Sequence, residues 1–137
     1  MNIHTPSANV LVKSSYITDI SASIVNGASV DTHGFTRAMA IAIAAPSGTG
    51  TSSTTKLQDS PDGSTFTDVP GAVFSAITTA GGAQTLTMNV NLAVRQRYLR
   101  LVQTGAGGSA GGQAVGIIEL FNPEQAAVTQ DNAAVSV

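Results

Sequence analysis

Gln84-Thr-Leu-Thr-Met-Asn-Val-Asn-Leu92 decides the fold class. Leu86, Met88, Val90 and Leu92 fall on one face, and Thr85, Thr87, Asn89 and Asn91 on the other. Strict alternation is the mark of an extended strand with one dry and one wet side. A short connection leads to Tyr98-Leu-Arg-Leu-Val-Gln-Thr104, a second strand. The rest of the chain is organised around these two.

Working outward, Arg37 to Ala45 alternates Met39, Ile41 and Ile43 with Ala38, Ala40, Ala42 and Ala44. The pattern predicts a central strand with the large residues inward and an alanine face that admits a close neighbour. Alanine also favours helix, but the alternation, the short length and Pro46 favour strand. Ile20, Ala22 and Ile24 predict a strand that ends at the turn signal Asn26-Gly27. Val30 to Phe35 and Ser47 to Thr54 read as loops. Thr55 to Ser60, with Leu57 inward, turns through Pro61-Asp62-Gly63 into Ser64 to Val69, anchored by Phe66. Pro70-Gly71 is a further turn before a short strand at Ala72 to Ile77. The last strand, Gln113 to Phe121, is apolar on both faces and is expected to be central or covered by a partner. These segments predict a single all-β sandwich of about eight antiparallel strands. Its core spans about 9–121, with an N-terminal arm at 1–8 and a C-terminal arm at 122–137. No stretch carries a 3.6-residue apolar period.

Composition narrows the functional classes. With 137 residues the chain is one domain by length. Charged residues make up 10%, against about 25% in an ordinary soluble domain. A surface of Thr, Ser, Asn, Gln and Ala is poorly protected against association, so self-assembly or a partner is expected. The net charge of -2 offers no basic footprint for nucleic acid. Cysteine is absent, which excludes a disulfide framework and thiolate chemistry. The start, Met1 to Pro6, lacks a basic segment followed by an apolar one. The longest apolar run, Ala38 to Ala45, is far short of the roughly 20 residues that span a bilayer. The expectation is a soluble protein made in the cytoplasm of its host cell, with no membrane partner.

No catalytic signature emerges. His33 lies near Asp31 and Thr32, but a triad also needs a nucleophile in a strained turn, and Gly-x-Ser-x-Gly is absent. His4 and His33 are too far apart, without cysteine, for a zinc site. Asp59, Asp62 and Asp68 flank one turn and supply calcium-type oxygens, without the EF-hand spacing; turn chemistry accounts for Asp62. Gly105-Ala-Gly-Gly-Ser-Ala110 matches the dinucleotide pattern in letters, but a strand follows where a helix is needed. Ser47-Gly-Thr-Gly-Thr51 lacks the Gly-Lys-Ser/Thr ending of a phosphate loop. No enzyme activity, metal or cofactor is expected. Arg95, Arg97 and Arg100 hold half of the positive charge in six residues. They serve either an acidic partner surface or the protection of a strand edge.

Lys56-Leu-Gln-Asp-Ser-Pro-Asp-Gly-Ser-Thr-Phe-Thr-Asp-Val69, followed by Arg97-Tyr-Leu-Arg-Leu-Val102, resembles an arrangement found in small jelly-roll structural proteins of tailed bacteriophages. Gly27 to Phe35 and the Gly/Ala/Thr-rich composition add to the likeness, which covers roughly residues 20–121. The chain is most similar to capsid cement (decoration) proteins of Bordetella-type podophages. The resemblance implies a homodimeric jelly roll on the outer surface of the virion capsid, clamping neighbouring major capsid subunits. The arms would fold onto neighbours. Candidate partner contacts are Ile3, Val10, Leu11, Val12, Val128 and Val135, with Arg95, Arg97 and Arg100. The rival class is a discoidin-like carbohydrate-binding or adhesion sandwich of a phage tail or secreted protein. Sugar sites need exposed aromatics, and the chain has two Tyr and four Phe.

Overall fold

The computed structural model describes residues 10–21, 23–107 and 111–123. In chain order the strands are β1 (Val10–Asp19), β2 (Ile24–Asn26), β3 (Val30–Asp31), β4 (Phe35–Pro46), β5 (Ser52–Ser60), β6 (Thr67–Val73), β7 (Ile77–Thr78), β8 (Gln84–Asn91), β9 (Tyr98–Ala106) and β10 (Gly112–Pro123). The first sheet runs β1-β10-β4-β8; the second runs β2-β9-β5-β6, with β3 on β9 and β7 on β5. Every pairing is antiparallel. Without the two-residue β3 and β7, eight strands remain, and their pairs are nested: β5 with β6 innermost, then β4 with β8, β2 with β9, and β1 with β10. A ribbon paired this way and rolled on itself is a jelly roll, which turns one long hairpin into two facing sheets. The expected all-β sandwich is therefore the observed one. The hairpin tip is the turn that Pro61-Asp62-Gly63 predicted, and Gly63 takes φ +75° there.

The core lies between the sheets. Leu57, Leu99 and Leu101 from the second sheet and Ile118 and Leu120 from the first are at most 1% exposed. Val90 and Leu92 are buried, and Leu86 and Met88 pack against the core, so the alternation at 84–92 faces as expected. Leu92 itself lies beyond the strand, in a 3-10 turn over Leu92–Val94 that the Asn91 side chain caps by accepting from Ala93 N. The strand at 84–92 and the one at 98–104 belong to different sheets, so the connection between them is a crossover rather than a hairpin.

β4 corrects the expectation for its two faces. Ala38, Ala40, Ala42 and Ala44 point into the core and are 1–3% exposed, while Met39, Ile41 and Ile43 point outward and are half-buried. The reason is separation. β4 brings its Cα atoms within 8 Å of β5 and β7, closer than the ~10 Å usual between stacked sheets. Methyl side chains fit that gap, and isoleucines do not.

Other differences are local. β1 reaches Asp19 in one run, Ile20 is buried after it, and Ile24 is 66% exposed on the short β2; Ala22 lies outside the described residues. Val30 to Phe35, read as a loop, contains β3, where Val30 pairs with Leu99. Ser52 to Thr54, also read as loop, opens β5. Pro70-Gly71 does not separate two strands but bulges one. Lys56 pairs with Val73 and Gln58 with Asp68, so six residues of β6 oppose three of β5, and Gly71 takes φ +76°. β10 is central between β1 and β4, as its two apolar faces predicted.

A polar seam crosses the interior. Tyr16 OH lies 2.7 Å from Thr55 Oγ1, and Gln103 Nε2 donates to Ser53 Oγ at 3.1 Å. At a bulge in β1, Ser15 Oγ accepts from Leu101 N (3.1 Å) and tethers the first sheet to β9. Gly27 passes so close that a Cβ there would sit 2.2 Å from Ser15 Oγ. The expected N-terminal arm at 1–8 lies outside the described residues; of the expected C-terminal arm at 122–137, Asn122 and Pro123 belong to β10, and 124–137 lie outside the described residues.

Candidate functional site

The two sheets present unlike outer faces. That of the second sheet carries an internally satisfied polar network, with Ile24 and Val73 exposed at its β2 and β6 edges. Lys56 Nζ donates to Asp68 Oδ2 (2.8 Å), Gln58 Nε2 to Asp68 Oδ1 (2.6 Å), and Arg100 Nε to Gln58 Oε1 (2.8 Å). The Arg100 guanidinium lies 4.2 Å from the centre of the Phe66 ring. Lys56 first, then Gln58, holds the Asp68 carboxyl below the usual carboxylate range. Phe66 thus anchors outside the sandwich, against Arg100.

All three expected arginines are engaged within the chain. Arg97 makes a two-pronged pair with Asp31, Nε to Oδ1 at 3.0 Å and Nη2 to Oδ2 at 2.7 Å. That pair is the main cause of the lowered Asp31 pKa. Arg95 Nη1 lies 3.5 Å from Asp59 Oδ2, which also accepts from Gln96 N. Arg97 also stands 5.2 Å from the centre of the Tyr98 ring, whose Cδ1 would lie 3.3 Å from a Cβ on Gly63. The Phe66 and Tyr98 rings are therefore already in contact with cations, and Tyr98 with the turn as well.

The chemical candidates do not converge. His33 offers its backbone N–H, not its ring, to Asp31, whose oxygens Arg97 occupies. A groove of about 500 Å³ beside them is lined by Leu11, Ser14, Ser29, Val30, His33 and Phe35 among others; among the described residues neither serine hydroxyl is hydrogen-bonded to the His33 ring. Asp59 faces Arg95, Asp68 faces Lys56, and Asp62 binds its own turn. Among the described residues no three acidic, His or Cys side chains gather to hold a metal. Gly105 and Ala106 are strand residues of β9, and β5 follows the Ser47–Gly50 turn, so neither glycine-rich segment opens a helix.

The outer face of the first sheet is apolar. Register puts Ile41 beside Ile117, Ile43 beside Val115, Met39 beside Glu119 and Arg37 beside Phe121. Ile17, beside Val115, is 72% exposed, and Val12, beside Glu119, is 42% exposed. Thr85, Thr87, Asn89 and Asn91 of β8 border the patch. No described element lies over it. Three charges sit on it, Arg37, Glu119 and Asp19. Asp19 accepts a hydrogen bond from Gln113, whereas neither Arg37 nor Glu119 has a hydrogen-bond or ion-pair partner among the described residues. At the Arg37 end a groove of about 490 Å³ opens between Met39, Asn89, Asn91 and Phe121. Of the expected contacts, Val10 and Val12 lie on this face and Leu11 points into the core; Ile3, Val128 and Val135 lie outside the described residues. The residues that sequence reasoning missed here are Met39, Ile41, Ile43, Val115 and Ile117, together with Arg37 and Glu119. Their signal was present: β4 and β10 carry apolar side chains on both faces.

Comparison with known proteins gives the fold. No protein-family model matches the chain, and no curated protein matches it in sequence. Among solved structures, the PBSX exported protein XepA superposes with a TM-score of 0.57 at 13% identity, over 92% of this chain and 42% of its own. The SPBc2 prophage-derived protein YomS superposes with a TM-score of 0.51 at 11% identity, over 88% of this chain and 100% of its own. The chain thus spans less than half the length of XepA. Among the described residues no helix is long and apolar enough to cross a membrane.

Proposed function

We propose that this chain is a structural virion protein that binds the outer surface of a phage capsid and cements neighbouring major capsid subunits, as a homodimer. One observation carries the reading: a satisfied polar network on the outside of one sheet, and on the other an outer face that is largely apolar across β1, β10 and β4 and bordered by the Thr and Asn residues of β8. A body built this way has one side for water and one side to be covered. The resemblance in the hairpin and β9 and the fold shared with the PBSX exported protein XepA and the SPBc2 prophage-derived protein YomS support it. The role is mechanical. Contacts that are weak singly add over a lattice through multivalency. No catalysis, cofactor, nucleic acid or membrane enters.

The test is sedimentation with intact heads of the phage that encodes the chain. The expected result is co-pelleting in a fixed number of copies per shell, lost on removal of 1–9 or 124–137 while circular dichroism stays that of a sheet protein. A chain that remains in the supernatant at saturating concentration ends this reading.

A further inference from the structure

We infer that a second copy of this chain covers the outer face of the first sheet, about a two-fold axis, with Arg37 of each copy paired to Glu119 of the other. The inference rests on the self-association in the proposed function and names its surface. A two-fold interface needs a patch that complements itself. Asp19 is held by Gln113 at the far end of the β1–β10 pair; the two charges left without a partner among the described residues are one cation and one anion, Arg37 and Glu119, at the edge and centre of an apolar field.

The register says how the copies meet. An axis parallel to the strands, between β4 and β10, sets β4 of one copy over β10 of the other. Ile41 then faces Ile117 and Ile43 faces Val115, because those pairs lie at equal height in the sheet. Met39 faces Glu119, and Arg37 stands one step further along. Within one sheet Arg37 and Glu119 are diagonal neighbours that project the same way and do not pair. Across two facing sheets ~10 Å apart their heads approach from opposite sides. Covering Glu119 with apolar surface alone would leave a desolvated, unpaired carboxylate, which is strongly disfavoured. An uncharged lid therefore fits this face poorly, and a copy of the face itself fits it well.

Charge exchange tests the pairing. The variants are Arg37→Glu, Glu119→Arg and the double exchange, with dimer affinity measured by sedimentation velocity and folding by circular dichroism. Each single variant is expected to weaken association about tenfold or more, and the double exchange to restore it to near the wild-type value. A wild-type chain that stays monomeric at every concentration, singles that associate as wild type, or a double exchange that is no better than the singles would overturn the inference. The same proteins are then spun with heads. Monomers that still pellet with the shell overturn the second copy and leave the cement reading standing. Dimers that respond to the exchange but never pellet do the reverse. Single variants that dimerise normally but lose the shell assign this face to the capsid instead, which also overturns the inference.

Discussion

Tyr16 lies against Gly116, where a Cβ would come within 2.3 Å of its ring, and its hydroxyl meets Thr55 Oγ1 inside the sandwich. Only a glycine leaves room for the ring on β10. Burial pushes the Tyr16 pKa up, and the Thr55 hydrogen bond opposes that in part. A folded-state pKa above the unfolded value of about 10 means that the fold holds the neutral phenol. The contribution to stability is complete below that unfolded value and is lost as pH rises from it through the folded pKa. Urea midpoints measured from neutral to strongly alkaline pH should fall in the wild type, and less in Tyr16→Phe. At neutral pH, Tyr16→Phe should cost about 1 kcal/mol, since it leaves a buried hydroxyl on Thr55 without this partner. Equal alkaline slopes in the two proteins would show that Tyr16 does not drive the loss. None of this was legible in the sequence. Tyr16 precedes an apolar Ile17 that turns out to be exposed, and the bulge at Ser15 that sets their facing leaves no mark in the pattern of letters.

The β5–β6 hairpin is the element whose sequence said most. Ser60-Pro-Asp-Gly63 specified the turn, and the structure adds its wiring. Ser60 Oγ accepts from Gly63 N (3.0 Å) and donates to Asp62 Oδ1 (2.8 Å); Asp62 Oδ1 also accepts from Thr65 N and Ser64 N. Those two backbone donors, Thr65 first, hold the Asp62 carboxyl far below the usual range. The stabilisation is present above the unfolded carboxyl value and is lost as pH falls toward the folded one. Asp62→Ala should lower the thermal midpoint at neutral pH, with the gap to wild type narrowing on acidification; a constant gap would mean that the carboxylate charge is not what matters. β4 is the counter-example. Period-two alternation places its residues on two faces but does not say which face is inside when both are apolar. The rule that larger residues face inward gave the wrong side, because the outer face is apolar too and the inner gap is narrow. Ala40→Leu should therefore destabilise by roughly 1–3 kcal/mol through overpacking, whereas Ile41→Ser, one residue away, should leave the denaturation midpoint measured at high dilution nearly unchanged. The reverse ranking would restore the face expected from sequence.

At the scale of the whole molecule, the jelly roll makes one rigid slab with a wet side and a dry side, and the charge is too sparse to keep the dry side apart from others. Net charge is -2 with only fourteen Lys, Arg, Asp and Glu in 137 residues, so long-range repulsion between copies is weak. The sandwich class was readable because its dry inner faces obey alternation. The dry outer face showed only as apolar residues on both faces of β4 and β10, because a sequence does not distinguish an apolar residue covered by its own chain from one left for another chain. Ile117 decides between these. It lies at the middle of the outer face, beside Ile41 on β4 and Ser14 on β1. Its side chain points away from the core that Ile118 fills on the opposite side. A charge at Ile117 meets water in the single chain and is desolvated in any assembly built on this face. Ile117→Lys should hold its circular dichroism spectrum and its melting temperature measured at high dilution, while losing self-association in sedimentation velocity and gaining solubility near the isoelectric point of about 5.4. Ile118→Lys, next in the chain, should instead fail to fold. If Ile117→Lys unfolded as well, position 117 would be core and the slab would have no dry side to offer; if it folded and associated like wild type, the contact between copies would lie elsewhere on the molecule.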